Sequence, residues 1–472
     1  MGKSLRAFAL MVVMALGCGE VETAPCTPGL TAGCNAGEIC ALAGLAPTCV
    51  APVILRGTVK DTLGVAVTGA RVTALDSQQI AVGVATSNEL GIWEMEFLFD
   101  RDEAGTPLLG GSVTLRVDAA GFQSFPVAPR VGAVVALEGA VLSESGELWS
   151  MASEATDVEL VQLAGDSSGF VRIEGRVEFE EPSGVLVAAV VGGSGISTAW
   201  SGPDGSFTLF NVPADAEGEI VGYRGGARFS AVVLEDAISG SAEALLTGSK
   251  AGVGSVAGDM MMTNVPTGSK TSVALVPAAL FDAQTGRAEV PFGLTVSGVS
   301  RYFRMGGVAP GEWVVIPSLE NDGLTVPPSA TGGAGDYPTI VVEESSGETT
   351  VLHKAIEVTQ ALSLHSPGVH GLELVESMPM ELSWARDGLA KGYVVFVTDS
   401  FGNVVEQIGD LIAEESAVGN KVTTVWSPDK LRAGMVYQVQ VRSWQGDYWN
   451  RTFIRQTESM RGVFLYRPNL AD

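Results

Sequence analysis

The sequence predicts an all-β fold of small β-sandwich domains in tandem. At 472 residues the chain is too long for one hydrophobic core. Apolar and polar residues alternate in short runs such as residues 113–119 and 437–442, a period of two that is typical of half-buried strands. Turn residues separate these runs, as at residues 88–91 and 203–205. Short strands divided by tight turns favour tandem sandwiches.

Helix should be scarce, because the chain contains 59 glycines and few amphipathic stretches. Two short segments are the predicted exceptions, residues 411–417 and residues 237–246.

The N-terminus has the pattern of an export signal. Lys3 and Arg6 precede an apolar run over residues 7–16, which small residues follow. Ten apolar residues in a helix cover about 15 Å, half of a hydrocarbon core of about 30 Å. We therefore predict that residues 1–17 are a signal peptide that is removed, rather than a membrane span.

The end of this segment, Ala15-Leu16-Gly17-Cys18, resembles a bacterial lipobox, although Leu16 stands one position after the place where that family has leucine. The resemblance implies that Cys18 is lipid-modified and becomes the first residue of the mature chain. Each buried methylene adds about 0.8 kcal/mol, so several acyl chains would hold the protein at a membrane. The residue after the cysteine is Gly19 and not aspartate, and by the same resemblance this permits a location in the outer membrane or at the cell surface. The alternative is an ordinary signal peptide with an incidental cysteine.

Four more cysteines, Cys26, Cys34, Cys40 and Cys49, cluster in the segment 18–52. In an exported protein an even, clustered set predicts two disulfides, and three connectivities are open. Their spacing lacks the paired C-x2-4-C knuckles of structural zinc sites, so we expect no metal there.

Two passes of the chain repeat one order of strands and turns. The first comprises residues 55–59, 69–74, 91–95 and 113–122, and the second comprises residues 173–177, 185–191 and 201–209. They resemble carboxypeptidase regulatory-like domains, which implies transthyretin-like sandwiches with a carbohydrate-binding-like fold and no catalytic role. On this basis residues 53–142 and 169–238 are predicted as two such domains joined by a linker over residues 143–168, and residues 239–364 as a third, divergent β-domain. A second connector is predicted over residues 239–258.

The last segment, residues 365–472, has a different pattern. Leu382-Ser-Trp384 and Tyr437-Gln-Val-Gln-Val441 resemble the second and sixth strands of a fibronectin type III domain. The resemblance implies an immunoglobulin-like sandwich with Trp384 in its core.

Catalytic motifs are missing from the sequence. The three histidines, His353, His365 and His370, lie within one short stretch, and no nucleophile motif accompanies them. Solvated connector residues are the simpler interpretation. The acidic runs 100–103 and 178–181 could bind calcium, but they lack the usual loop spacing. We therefore expect no enzyme, no cofactor and no metal.

Three tryptophans are candidates for stacking on a sugar: Trp200, Trp444 and Trp449. The simpler interpretation is that they close the ends of sandwiches.

The formal net charge of −26 makes nucleic acid an unsuitable partner. The predicted function is that of a non-enzymatic surface lipoprotein, anchored in the cell envelope, for binding, adhesion or scaffolding. Its expected partners are the membrane through the lipid, and an envelope protein or polysaccharide. One alternative is a carbohydrate-binding module protein, and another is an unrecognised enzyme in residues 236–365.

Overall fold

The computed structural model describes most of the chain. The described residues are 26, 33–35, 38–43, 46–77, 79–97, 99, 101–102, 106–126, 134–143, 148–152, 154–165, 169–282, 286, 288–318, 322–329, 335–344, 347–399, 402–412, 417–428, 431–433, 435–447, 450–459 and 461–468. They fall into two compact units. One unit holds the described residues up to 53 together with those in 98–108 and 142–149, and the other holds the rest.

The first element is a hairpin of β1 (Ile39–Ala43) and β2 (Ala46–Val50), in which Ile39, Ala41 and Val50 form a small buried cluster.

The first sandwich follows. Its strands are β3 (Val53–Asp61), β4 (Arg71–Leu75), β5 (Ala81–Thr86), β6 (Ile92–Phe97), β7 (Ser112–Asp118), β8 (Val134–Ala136), β9 (Val141–Leu142), β10 (Trp149–Met151) and β11 (Val158–Leu160). One sheet has the order β11-β3-β10-β9, with β6 beside β3, and the other has the order β5-β4-β7-β8. In β6 the alternation is strict, because Trp93, Met95 and Phe97 are buried while their neighbours are exposed.

In the second sandwich all strands are connected by hydrogen bonds into one continuous eight-stranded sheet. Its order is β14-β13-β16-β17-β19-β12-β15, with β18 beside β16. Its strands are β12 (Phe170–Glu178), β13 (Leu186–Val191), β14 (Ser194–Trp200), β15 (Ser206–Pro213), β16 (Glu219–Arg224), β17 (Ala227–Phe229), β18 (Val232–Val233) and β19 (Ala244–Ser249). The α-helix α1 (Leu234–Ser239) precedes β19. It ends at Gly240, whose φ of 69° is left-handed and suits glycine.

The third sandwich has two sheets, one of order β23-β20-β28-β25 with β27 beside β20, and one of order β22-β21-β24-β26. Its strands are β20 (Gly254–Thr263), β21 (Thr271–Pro277), β22 (Thr295–Val299), β23 (Tyr302–Val308), β24 (Gly311–Pro317), β25 (Leu324–Thr325), β26 (Thr339–Val342), β27 (Thr349–Val351) and β28 (Ile356–Gln360). Trp313, Phe303 and Leu275 lie in its core.

The C-terminal sandwich has sheets of order β29-β31-β35-β34 and β30-β38-β36-β32-β33, with β37 beside β36. Its strands are β29 (Leu364–Ser366), β30 (Glu373–Val375), β31 (Met380–Ala385), β32 (Gly392–Asp399), β33 (Val404–Ile412), β34 (Ala417–Val418), β35 (Lys421–Trp426), β36 (Met435–Asp447), β37 (Asn450–Gln456) and β38 (Val463–Tyr466). Trp384 is fully buried and meets the ring of Tyr393 edge-on, with 5.4 Å between ring centroids.

The all-β prediction is confirmed, and the helical elements of the described chain are short: α1 and the 3-10 turns Leu137–Gly139, Glu154–Thr156 and Ala278–Leu280. None of the helices in that part of the chain has the length and apolar character needed to cross a bilayer. Two details of the helix prediction are wrong. Residues 411–412 end strand β33 and residue 417 begins β34, and the helix near residue 237 starts earlier and stops before β19.

The two predicted connectors carry strands. Within residues 143–168, β11 pairs in parallel with β3, so that Val158 lies opposite Val59. Within residues 239–258, β19 pairs in parallel with β12 in the second sheet, and β20 begins the third sandwich. The connectors were predicted from composition alone. Short segments rich in glycine, serine and acidic residues can still form strands when the edge of a neighbouring strand is free to pair with them.

Candidate functional site

The described cysteines form the two predicted disulfides, Cys26–Cys40 and Cys34–Cys49, with Cα–Cα distances of 5.8 Å and 5.4 Å. Cys40 and Cys49 lie opposite each other in the β1–β2 hairpin, yet each bonds to a cysteine further upstream. The disulfides therefore attach Cys26 and Cys34 to the hairpin. Cys18, the predicted lipidation site, lies outside the described residues.

Among the described residues, only Cys26, Cys34 and Cys49 form a group that could hold a metal ion. All three sulfurs are in disulfides and offer no thiolate. In the acidic run 178–181, two carboxylates form ion pairs within the chain: Glu180 with Lys250, and Glu181 with Arg224. His353, His365 and His370 are all exposed.

Two of the three tryptophan candidates are core residues. Trp200 is 5% exposed and packs with Leu186 and Leu75. Trp444 is 3% exposed and covers Gly392, where an added Cβ would lie 2.6 Å from the indole. Neither ring face is free for a sugar, which corrects their prediction as ligand-binding residues. Trp449 lies outside the described residues.

A cleft of about 740 Å³ lies where the first, second and third sandwiches meet. Two surfaces border it from the second sandwich: the edge strand β14 and the end of β15. The first sandwich contributes residues 122–124 and Pro126, and the third contributes residues 279–282 and 288–289. Its lining alternates aromatic rings with hydroxyl groups.

Arg116 contacts three residues that line this cleft, Asp118, Thr198 and Glu289, and so joins all three sandwiches. The guanidinium, 3% exposed, binds both carboxylate oxygens of Asp118, at 2.8 Å and 3.0 Å. It also forms an ion pair with Glu289 of the third sandwich, and it donates to the Thr198 carbonyl of the second at 3.0 Å. Burial by itself lowers the pKa of Arg116, but the negative charges of Asp118 and Glu289 outweigh it, so the net shift is upward.

Asn211 connects the first and second sandwiches from the other side of the cleft. Its Oδ1 accepts the Gly121 amide at 2.7 Å, and its Nδ2 donates to the carbonyls of Phe122 and Ala119 at 2.8 Å and 3.2 Å. Its φ of 58° lies in the left-handed region, which asparagine tolerates better than most residues. Three hydrogen bonds therefore fix strand β15 to the loop over residues 119–122 of the first sandwich.

The second and third sandwiches meet at glycines. The Gly226 amide donates to Gly307 at 2.8 Å, and an added Cβ on Gly225 would lie 2.6 Å from the Gly293 carbonyl. Beside this backbone contact, Tyr223 and Trp313 pack edge-on at 5.9 Å.

The C-terminal sandwich is held by buried polar side chains. Glu458 accepts the Gly323 amide at 2.7 Å, and Gln456 donates to the Val326 carbonyl at 2.9 Å. Arg467 also pairs with Glu159 of the first sandwich at 2.5 Å. Each sandwich in this unit thus makes specific contacts with at least two others, and those among the first three hold the cleft walls in place.

Arg116, Glu289 and Asn211 were not predicted as site residues from the sequence. Arg116 and Asp118 stand two apart in β7, a spacing that places both on one side of a strand. From the sequence alone, two charged residues on one side of a strand indicate a face exposed to solvent. In the structure the neighbouring sandwiches cover this face and bury both side chains.

No protein-family model matches the chain, and none of the curated proteins matches it significantly. Among solved structures, the major pilin subunit BcpA of Bacillus cereus is 9% identical over 66% of this chain and 100% of that one, with a TM-score of 0.17. A streptococcal ancillary pilin is 12% identical over 66% and 99%, with a TM-score of 0.15. The chlorocatechol 1,2-dioxygenase of Pseudomonas putida is 13% identical over 24% of this chain, which spans 59% of that enzyme's length, with a TM-score of 0.16. TM-scores this low carry no argument about function.

Proposed function

We propose that this chain is an exported, lipid-anchored, non-enzymatic surface protein that acts by binding or scaffolding. The anchor is Cys18, the first residue after the signal segment 1–17. The carrying observation is the set of buried polar contacts between sandwiches, above all Arg116 with Asp118, Glu289 and Thr198. Such contacts restrict the motion of the sandwiches relative to each other, so that residues from several domains can form one binding surface.

The two disulfides support an exported location, because disulfides persist in oxidising compartments outside the cytosol. The formal net charge of −26 supports solubility at a cell surface and opposes association with polyanions. The buried cations Arg116 and Arg224 are engaged by carboxylates and carbonyls of the chain itself, which suits structural roles.

The finer assignment of the sandwiches as carboxypeptidase regulatory-like and fibronectin type III-like belongs to this proposal. Trp93 two residues after Gly91, and Phe207 two residues after Gly205, are both fully buried. In that family the glycine turn returns the following aromatic residue to the core, and here the same residues do so.

The test compares the full-length wild type with Cys18→Ser in a Gram-negative host, by fractionation and intact mass. We expect the wild type in membranes with the added mass of a diacylglyceryl group and an acyl chain, and the variant in the soluble fraction. Ala32→Ser, in the same N-terminal segment, is the matched control and should behave as wild type. Soluble wild type without added mass would remove the anchor from the proposal and leave an exported β-protein.

A further inference from the structure

We propose that the cleft at the junction of the first three sandwiches binds a neutral oligosaccharide. This inference deepens the proposed binding role and rests on it, but it does not depend on the lipid anchor.

The size and rigidity of the cleft suit a ligand. Its volume of about 740 Å³ lies inside the range of roughly 300–1,000 Å³ that is typical of small-molecule sites. Its walls come from three sandwiches that Arg116 and Asn211 hold together through buried hydrogen bonds. A preformed cleft loses little conformational freedom on binding.

The apolar part of the lining presents ring and aliphatic surface. Phe170, at the start of β12, is 38% exposed, and Ile196 of β14 is exposed to the same extent. Phe122 enters the cleft from the first sandwich and is partly buried. Sugars have one apolar face of C–H bonds, and such a face packs on aromatic rings.

Four of the nine polar side chains in the lining carry a hydroxyl group: Ser124, Ser194, Ser197 and Thr198. Ser194 is exposed at the start of β14. Ser197 donates to the Phe210 carbonyl at 2.6 Å, and its oxygen still has lone pairs to accept a hydrogen bond. Groups that both donate and accept match a ligand made of hydroxyls, which do the same.

Charge decides between ligand classes. Asp118 and Glu289 face Arg116, and with Asp282 the lining carries more negative than positive charge among the described residues. Anionic ligands are therefore disfavoured. Both oxygens of Asp118 and one oxygen of Glu289 are bound by Arg116, so a basic peptide would have to compete with the chain's own guanidinium for these carboxylates. A neutral hydroxylated ligand fits what remains.

The test titrates the full chain with maltohexaose, cellohexaose and chitohexaose by calorimetry. We expect saturable binding of at least one of them. Phe170→Ala should weaken it by about tenfold, since a lost aromatic contact is commonly of that order. Ser194→Arg places a long side chain at an exposed cleft position and should abolish it. The matched control is Tyr302→Ala, at an aromatic residue 58% exposed and outside the cleft, which should bind as wild type.

Three results would overturn the proposal. The first is no binding of any of the three hexasaccharides. The second is binding that Ser194→Arg leaves unchanged, while melting curves show that the variant is folded. The third is binding of a basic peptide of alternating glycine and lysine in place of the sugars, which would assign the cleft to a protein partner. Failure of the Cys18→Ser experiment is separate from all three, because sugar binding is measured on the purified chain.

Discussion

Arg116 and Glu289 form an ion pair across 173 positions of sequence and connect the first sandwich to the third. Asp118 binds the same guanidinium through both of its oxygens, so one buried cation contacts two carboxylates. The charge balance of this site therefore depends on a single side chain.

Arg116→Met should destabilise the protein by about 3 kcal/mol, because it leaves the buried carboxylate of Asp118 and the partly buried one of Glu289 without a cation. The measurement is the free energy of unfolding in urea. Arg172→Met is the matched control. Its pair with Glu174 is 53% and 68% exposed, and we expect a change below about 1 kcal/mol. Equal losses in the two variants would show that the buried pair has no special role.

Asn211→Ala should cost more than Asn211→Gly. Both variants lose the three hydrogen bonds to residues 119–122, but alanine also pays for a left-handed φ of 58°, about 1 kcal/mol that glycine avoids. The two melting temperatures and the rate of limited proteolysis between the first and second sandwiches measure this difference. Identical stability of the alanine and glycine variants would mean that backbone conformation contributes nothing here.

Much of the fold follows from local pattern. The period of two in residues 113–117 and 437–441 marks strands β7 and β36, and the turns at residues 88–91 and 203–205 are where the chain reverses. The even number of cysteines after Cys18 predicted two disulfides, although not their connectivity. These features depend on residues close together in sequence.

The site depends on contacts between sandwiches, and pattern does not reveal those. Trp200 was a candidate for stacking on a sugar. In the structure it is buried against Leu186, its neighbour across the sheet, and against Leu75 of the first sandwich. The segment 143–168 was predicted as a linker because it is acidic and contains serine and glycine. Within it, residues 158–160 pair with the open edge of β3. In both cases a distant segment decides burial.

The disulfide connectivity gives a prediction that needs only mapping. Cys26→Ser should leave Cys40 as the free thiol, since those two residues are bonded. Alkylation without reduction, followed by peptide mass analysis, should label Cys40 and leave Cys34 and Cys49 protected. The reciprocal variant Cys34→Ser should expose Cys49. Label on Cys34 in the first variant would indicate a different pairing.

Alkaline pH should weaken the contact between the second and third sandwiches. Burial, with a smaller contribution from the negative charge of Glu219, raises the pKa of Tyr223 from 10.0 to about 12. The folded protein therefore keeps this proton at a pH where the unfolded chain has lost it. The stabilising contribution is complete below pH 10 and is lost as the pH rises towards 12, by about 2 kcal/mol in all.

Urea unfolding of wild type and Tyr223→Phe at pH 9 and at pH 11.5 measures this contribution. The variant lacks the ionisable hydroxyl but keeps the ring that packs on Trp313, so it should lose less stability between the two pH values than the wild type does. Tyr302→Phe, at an exposed tyrosine outside the interface, controls for the removal of a phenol as such. If wild type and Tyr223→Phe lose the same free energy of unfolding, another group carries the alkaline transition, and Tyr223 contributes to the interface only through its ring.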